Sequence, residues 1–276
     1  MKSEILYKNP KTILNKGTGY LSGYTHSLNP YTGCSFACSY CYVRQMPVSL
    51  FRKKEWGSWV DIKQSAPTIL EKELKKAKSK DKVTIFMSSS TDPYQPIEFK
   101  ERLTRSLLEV MLQNQPDFLF IQTRSPLVKR DIDLLKLFKE KVRVSMTIET
   151  DLDEVRKSFS PNAPPINARL KTIEGLVKAG IPTQATIAPI LPSSEDFPKK
   201  LSEIIHRICI DDFFMGDGSG GKRTGRLGIE EKYTELNLQE WYGPEAYLVV
   251  YQRFKKYFSE DQLFISQKGF EPYTKN

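Results

Sequence analysis

Three of the four cysteines fall within eight residues, Cys34-Ser35-Phe36-Ala37-Cys38-Ser39-Tyr40-Cys41, with gaps of three and then two residues. Thiolates at that density suit an iron–sulfur cluster or zinc. A [4Fe–4S] cluster normally takes four cysteines, so three leave one iron free to bind a small molecule. A structural zinc site is the competing reading, but such sites close with four ligands, usually as two pairs. The remaining candidates are His26, His206 and Cys209, and no second pair stands at ligand spacing. A disulfide framework fits less well, because three close cysteines and a distant one pair badly. Cys209 sits in the apolar run Ile204-Ile205-His206-Arg207-Ile208-Cys209-Ile210 and reads as a buried core thiol.

The elements that must position this loop alternate in type. Short apolar runs at 83–87, 118–121, 142–148 and 183–187 read as buried strands. Helical periodicity fills 66–79, 99–113, 127–138, 167–179 and about 197–208, and again 244–258. Polar residues gather just after the strands: Ser88 to Pro96, Gln122 to Pro126, Glu149 to Asp151. Strand, polar loop, helix, strand implies βαβ units and a parallel sheet. In barrels of that type chemistry sits at the C-terminal ends of strands. No G-x-G-x-x-G follows a strand, so the order fits a barrel or partial barrel of about six units better than a nucleotide-binding doubly wound sheet. The expected division is an irregular glycine-bearing arm over 1–26, a βα core over 27–215, and a Gly-rich loop with a helical extension over 216–276. The glycines between 216 and 228 read either as a flexible linker or as a loop that orders over a substrate.

The chain has 276 residues, 39% hydrophobic, and a net charge of +9. Residues 1–60 hold eight Lys/Arg and two Glu, so +6 of that charge surrounds the cysteine loop. Such a field attracts phosphate-rich or acidic partners, and a merely solvating surface is the bland alternative. No apolar run approaches the ~20 residues that span a bilayer. No long apolar segment opens the chain, so export is not expected and reduced cysteines fit a cytoplasmic setting.

Taken with their neighbours, the cysteines resemble the signature of the radical S-adenosylmethionine (SAM) superfamily, in its spore photoproduct lyase-like branch. The blocks that carry this are Asn29 to Cys34, Cys38 to Tyr42, Ser89 to Tyr94, Thr123 to Pro126, Arg130 to Leu135 and Ala188 to Ile190. The resemblance implies a partial (βα)6 TIM-like barrel with the cluster in its mouth. It implies a [4Fe–4S] cluster held by Cys34, Cys38 and Cys41, and SAM on the open iron. The backbone at Tyr40 would meet the adenine, Thr91, Arg124 and Ser145 the methionine or ribose part, and Ala188 the adenine pocket. Tyr40 and Tyr42 are the candidate catalytic residues, because the resemblance implies a hydrogen-atom relay through tyrosines. An external electron donor such as flavodoxin or ferredoxin is implied as well. Where spore photoproduct lyase carries a hydrogen-donating cysteine, the nearest residue here is Ser89.

Two function classes follow. One is a radical SAM enzyme acting on an unidentified substrate, nucleic acid among the candidates because of the charge. The other is a non-enzymatic iron–sulfur or zinc protein. A pocket for SAM separates them.

Overall fold

The computed structural model describes residues 3–272. Among them eleven strands form two sheets. In chain order these are β1 (Glu4–Lys8), β2 (Leu14–Lys16), β3 (His26–Leu28), β4 (Tyr31–Thr32), β5 (Trp59–Lys63), β6 (Thr84–Met87), β7 (Phe118–Thr123), β8 (Val142–Thr147), β9 (Thr183–Ile187), β10 (Ile208–Ile210) and β11 (Leu263–Ile265). The large sheet runs β11-β10-β9-β8-β7-β6-β3-β2. Seven of these strands are parallel to their neighbours, and β2 lies antiparallel on the β3 edge. This is the α/β, partial-barrel architecture expected from the alternation. The small sheet pairs β1 parallel and β4 antiparallel with β5. Because β4 ends at Thr32, this sheet anchors the start of the cysteine loop.

Strand β6 is buried along its whole length, the pattern of a parallel sheet covered on both faces. Alternation sends Ile85 and Met87 into the core shared with the helices, where Leu70, Leu74 and Leu107 also lie. It sends Phe86 to the opposite face, inside the barrel, where it stacks on Phe120 at 5.0 Å. Tyr24 from the N-terminal arm and Phe270 from the C-terminal segment join that aromatic group. The Tyr24 hydroxyl donates to the Phe270 carbonyl at 2.5 Å. Both ends of the chain therefore plug one barrel interior.

Several expectations change. The arm is not irregular: it supplies β1 and β2. The boundaries at 26 and 215 do not divide the sheet, since β2 and β11 extend it at either edge. The helix expected at 99–113 breaks at Arg102, which has φ 52°, into Glu98–Glu101 and Leu103–Gln113. The stretch 127–138 is short 3-10 and α turns in place of one helix. The helix expected at 197–208 covers only Phe197–Ser202, and the apolar run after it forms β10. Among the described residues no helix is long and apolar enough to cross a membrane.

Candidate active site at the cysteine loop

The loop 33–41 crosses the C-terminal ends of the barrel strands and lines a cavity of about 620 Å³. Gly33 opens it with φ +84°, and a Cβ there would lie 2.5 Å from the Trp59 carbonyl oxygen, so only glycine fits. Gln95 is fully buried and ties the loop down. Its Oε1 accepts from the Ser35 amide at 3.0 Å, and its Nε2 donates to the Gly33 carbonyl at 3.2 Å. Arg44 donates to the carbonyls of Cys38 and Ala37 at 2.9 and 2.8 Å. Phe36 anchors the loop in an apolar cluster with Phe159, Leu191 and Tyr233.

Cys34, Cys38 and Cys41 all line the cavity, whereas Cys209 is buried and is not among its lining residues. Burial pushes all three loop thiols up, Cys41 to about 11. Such thiols stay protonated at neutral pH until a metal displaces the proton. Among the described residues no three His, Cys, Asp or Glu side chains converge closely enough for a single metal ion. Three thiols on one cavity wall would suit the iron–sulfur cluster that the resemblance implies.

Behind Cys38 stands a charged network. Arg124 Nη1 donates to Cys38 Sγ at 2.8 Å, to the Tyr40 hydroxyl at 2.9 Å and to Glu149 Oε1 at 2.9 Å. The Tyr40 hydroxyl donates to the same carboxylate oxygen at 2.6 Å, and Arg169 holds Oε2 at 2.5 Å. Burial works against the Glu149 charge, but Arg169, Arg124 and the Tyr40 phenol outweigh it and hold its carboxyl below the usual range. Burial likewise opposes the Arg124 charge, and Cys38, Tyr40 and Glu149 keep it firmly protonated. Asp92 fixes the loop after β6 to the end of β7, accepting from the Thr123 hydroxyl at 2.7 Å and the Arg124 amide at 2.8 Å.

The other expected site residues are placed as follows. Thr91 lines the cavity, and its hydroxyl donates to the Gly33 carbonyl at 2.7 Å. Tyr42 lines it as well, with its hydroxyl on the Ser89 carbonyl. Ala188 lies in the wall just after β9. Ser145 is not among the lining residues. It is buried one strand layer deeper, bonded to the Thr186 and Gln184 side chains, and Thr147 two residues on reaches the cavity instead. Glu149 and Arg169 were not singled out by the sequence; an acidic residue directly after a strand is the one signal it carries.

The far wall comes from Asp211, Asp212 and Asp217 with Arg223. The glycine-bearing segment is ordered there, not a free linker. The Asp217 carboxylate accepts from the amides of Ser219, Gly221 and Arg223. Ser88 Oγ, Gln122 Oε1 and Asp212 Oδ2 are buried in this cavity without a hydrogen-bond partner among the described residues. Orphaned polar atoms cost stability and point to a ligand rich in N–H and O–H groups. The amine, ribose hydroxyls and exocyclic amine of SAM meet that requirement.

The model of the radical SAM superfamily matches residues 28–236. The chain belongs to the radical SAM superfamily. An uncharacterized protein of Methanocaldococcus jannaschii is 35% identical over 261 residues, spanning 94% of this chain and 92% of its own. One from Acidianus two-tailed virus is 30% identical over 83% of this chain and 76% of its own. Among solved structures, spore photoproduct lyase complexed with dinucleoside spore photoproduct superposes with a TM-score of 0.64, at 17% identity, over 95% of this chain and 81% of that one. Streptococcus suis SuiB bound to S-adenosylmethionine gives 0.50 at 12% identity, over 86% of this chain and 46% of that one. At such identities these likenesses concern the fold. The radical SAM assignment makes the chain an enzyme of a family that uses an iron–sulfur cluster and SAM.

Proposed function

We propose that this protein binds a [4Fe–4S] cluster through Cys34, Cys38 and Cys41 and cleaves SAM to abstract a hydrogen atom from a substrate in the same cavity. The observation that carries the reading is the placement of three loop thiols, and no fourth, on one cavity that also contains unpartnered polar groups. The chemistry the bound pair supplies is one-electron cleavage of SAM to methionine and a 5′-deoxyadenosyl radical.

The chain's own residues bind, orient and enclose. Arg124 makes three side-chain hydrogen bonds through Nη1, and the rest of its guanidinium would serve the SAM carboxylate, a group that guanidinium binds well. Thr147, rather than Ser145, takes the ribose-side position. Ala188 and the Tyr40 backbone border the adenine. Tyr40 keeps its proton, because burial and the neighbouring Glu149 raise its phenol despite Arg124. Tyr42 is also pushed up by burial. Both line the cavity as O–H groups and are the candidates for a hydrogen-atom relay. Asp211, Asp212 and Asp217 line the same cavity. The net charge of +9 keeps nucleic acid among the candidate substrates.

The test is anaerobic reconstitution with iron and sulfide. About four irons per chain, by cubane stoichiometry, and a reduced-cluster EPR signal that shifts on adding SAM are expected. One zinc per chain and no such signal would refute the reading in favour of a structural metal site.

A further inference from the structure

The chain carries a net charge of +9, yet residues 211–217 hold three Asp and no Lys or Arg. Asp217 holds its own turn, but Asp211 and Asp212 are turned to the cavity, at 6% and 5% exposure. Asp212 Oδ1 accepts from the amides of Phe214 and Met215 at 2.8 and 2.7 Å. Its Oδ2 is buried with no partner among the described residues. Asp211 Oδ2 accepts from the Tyr20 hydroxyl at 3.1 Å. Among the described residues neither carboxylate forms an ion pair with Lys or Arg. Of the cations on the lining, Arg124 is held by Glu149 at 2.9 Å, Arg223 donates to the Asp217 carbonyl at 2.6 Å, and Lys16 is an exposed residue of β2. Burial pushes both carboxyls up, Asp211 to about 7. Buried carboxylates that no protein cation offsets are costly and are a mark of functional sites. Aromatic rings stand beside this acidic corner. Tyr20 packs on Phe270 at 5.8 Å and Phe270 on Phe86 at 6.2 Å, and all three line the cavity. Gln267 donates to the Tyr20 carbonyl at 2.8 Å, which ties the segment after β2 to the segment after β11 across the two edges of the sheet.

We propose that this acidic, aromatic corner holds the substrate by an organic cation, an ammonium or guanidinium group, with Asp212 as its direct acceptor and Asp211 beside it. The inference rests on the radical SAM reading above and names the substrate class for the same cavity. An N–H donor with positive charge satisfies Asp212 Oδ2 and offsets both carboxylates. The Phe86 and Phe270 rings attract the same charge through their faces. A phosphodiester would meet buried carboxylates of its own sign, which selects against it. The basic excess of residues 1–60 therefore does not describe the group bound inside. SAM carries an ammonium of its own. If Arg124, after β7, takes the SAM carboxylate, the ammonium on the same carbon stays on that side. Asp212 follows β10, three strands further along the sheet.

The experiment titrates the full reconstituted chain by anaerobic calorimetry without reductant, so that SAM stays intact. The probes are n-butylamine, agmatine, a blocked Gly-Arg-Gly peptide and the dinucleotide thymidylyl-thymidine, each with and without saturating SAM. Wild-type protein should bind at least one of the three cations, and no less tightly when SAM is present. Preference for the amines or for the peptide tells a free small cation from a protein side chain. Asp212→Asn keeps an acceptor for the Phe214 and Met215 amides but loses the charge. It should weaken cation binding about ten- to a hundredfold, the effect of one charged hydrogen bond. Asp211→Asn should weaken it in the same direction. Failure of all three cations to bind wild-type protein would overturn the proposal, as would equal affinity in wild type and both variants. Cation binding abolished by SAM would assign Asp212 to SAM instead, and a dinucleotide bound in preference to the cations would assign the corner to nucleic acid. A chain that takes up iron but does not bind SAM would refute the proposed function, a separate failure, since the cation titration without SAM is read independently.

Discussion

Replacing Arg124 by alanine separates its structural role from its role toward SAM. The substitution removes the three bonds of Nη1 to Cys38, Tyr40 and Glu149. Stranding a buried carboxylate costs about 3–5 kcal/mol, but Glu149 keeps Arg169 at 2.5 Å and the Tyr40 hydroxyl at 2.6 Å. The loss of stability should therefore stay near that of one charged hydrogen-bonding group, about 1.5–3 kcal/mol. A lost contact to the SAM carboxylate has the same size and weakens binding roughly ten- to a hundredfold. Arg124→Lys keeps the charge but not the planar fork, so it should fall between alanine and wild type. Equilibrium dialysis of SAM against anaerobically reconstituted protein gives the affinity, and thermal melts give the stability. A lowered melting temperature with wild-type SAM affinity would refute the reasoning, leaving Arg124 as a brace for Glu149 only.

Cys209→Ala should keep about four irons per chain under reconstitution, the stoichiometry of a cubane, because Cys209 lies in the barrel's aromatic interior beside Phe120 and Phe270; loss of iron in that variant would contradict the three-cysteine assignment. Efficient repair of spore photoproduct is not expected, since Ser89 offers a hydroxyl where the related lyase has a thiol, and an O–H bond is a poor hydrogen-atom donor. Several clean turnovers to thymine per chain would contradict this. Burial pushes the Asp211 carboxyl up from 3.8 to about 7. An acid raised on folding leaves the unfolded chain better ionised, so stability should fall as pH rises from about 4 to 7 and stay lower above it. Asp211→Asn should remove that decline, gaining at most about 4 kcal/mol at pH 8 and almost nothing at pH 4, as melts at the two pH values would read; an equal effect at both would contradict the assignment to Asp211.

The parts of the fold that were legible in sequence are those with enough residues to show a period. Thirteen residues from Ala66 to Lys78 display a helix with Leu70 and Leu74 on its buried side. Strands β6 to β9 show as apolar runs closed by polar loops. Three-residue strands leave no such trace, which is why β2, β10 and β11 escaped. The run Ile204 to Ile210 is apolar enough for a helix or a strand, and only pairing with β9 and β11 decides it. At the site, the cysteine spacing exposed the loop directly. Glu149 and Arg169 lie 20 residues apart and meet only through the fold, so no local pattern announces them. The Asp217 turn was hidden because its bonds run from one carboxylate to backbone amides, which leaves in the sequence only the glycines that permit the bends.

The most direct test of the whole account is the release of 5′-deoxyadenosine from SAM by the reconstituted protein under strictly anaerobic conditions with dithionite. Wild-type protein should form 5′-deoxyadenosine and methionine in equal amounts, and Cys38→Ala, lacking one of the three ligands, should form neither. A wild-type protein that holds its iron and binds SAM yet releases no 5′-deoxyadenosine, or a Cys38→Ala variant that cleaves as well as wild type, would contradict the account.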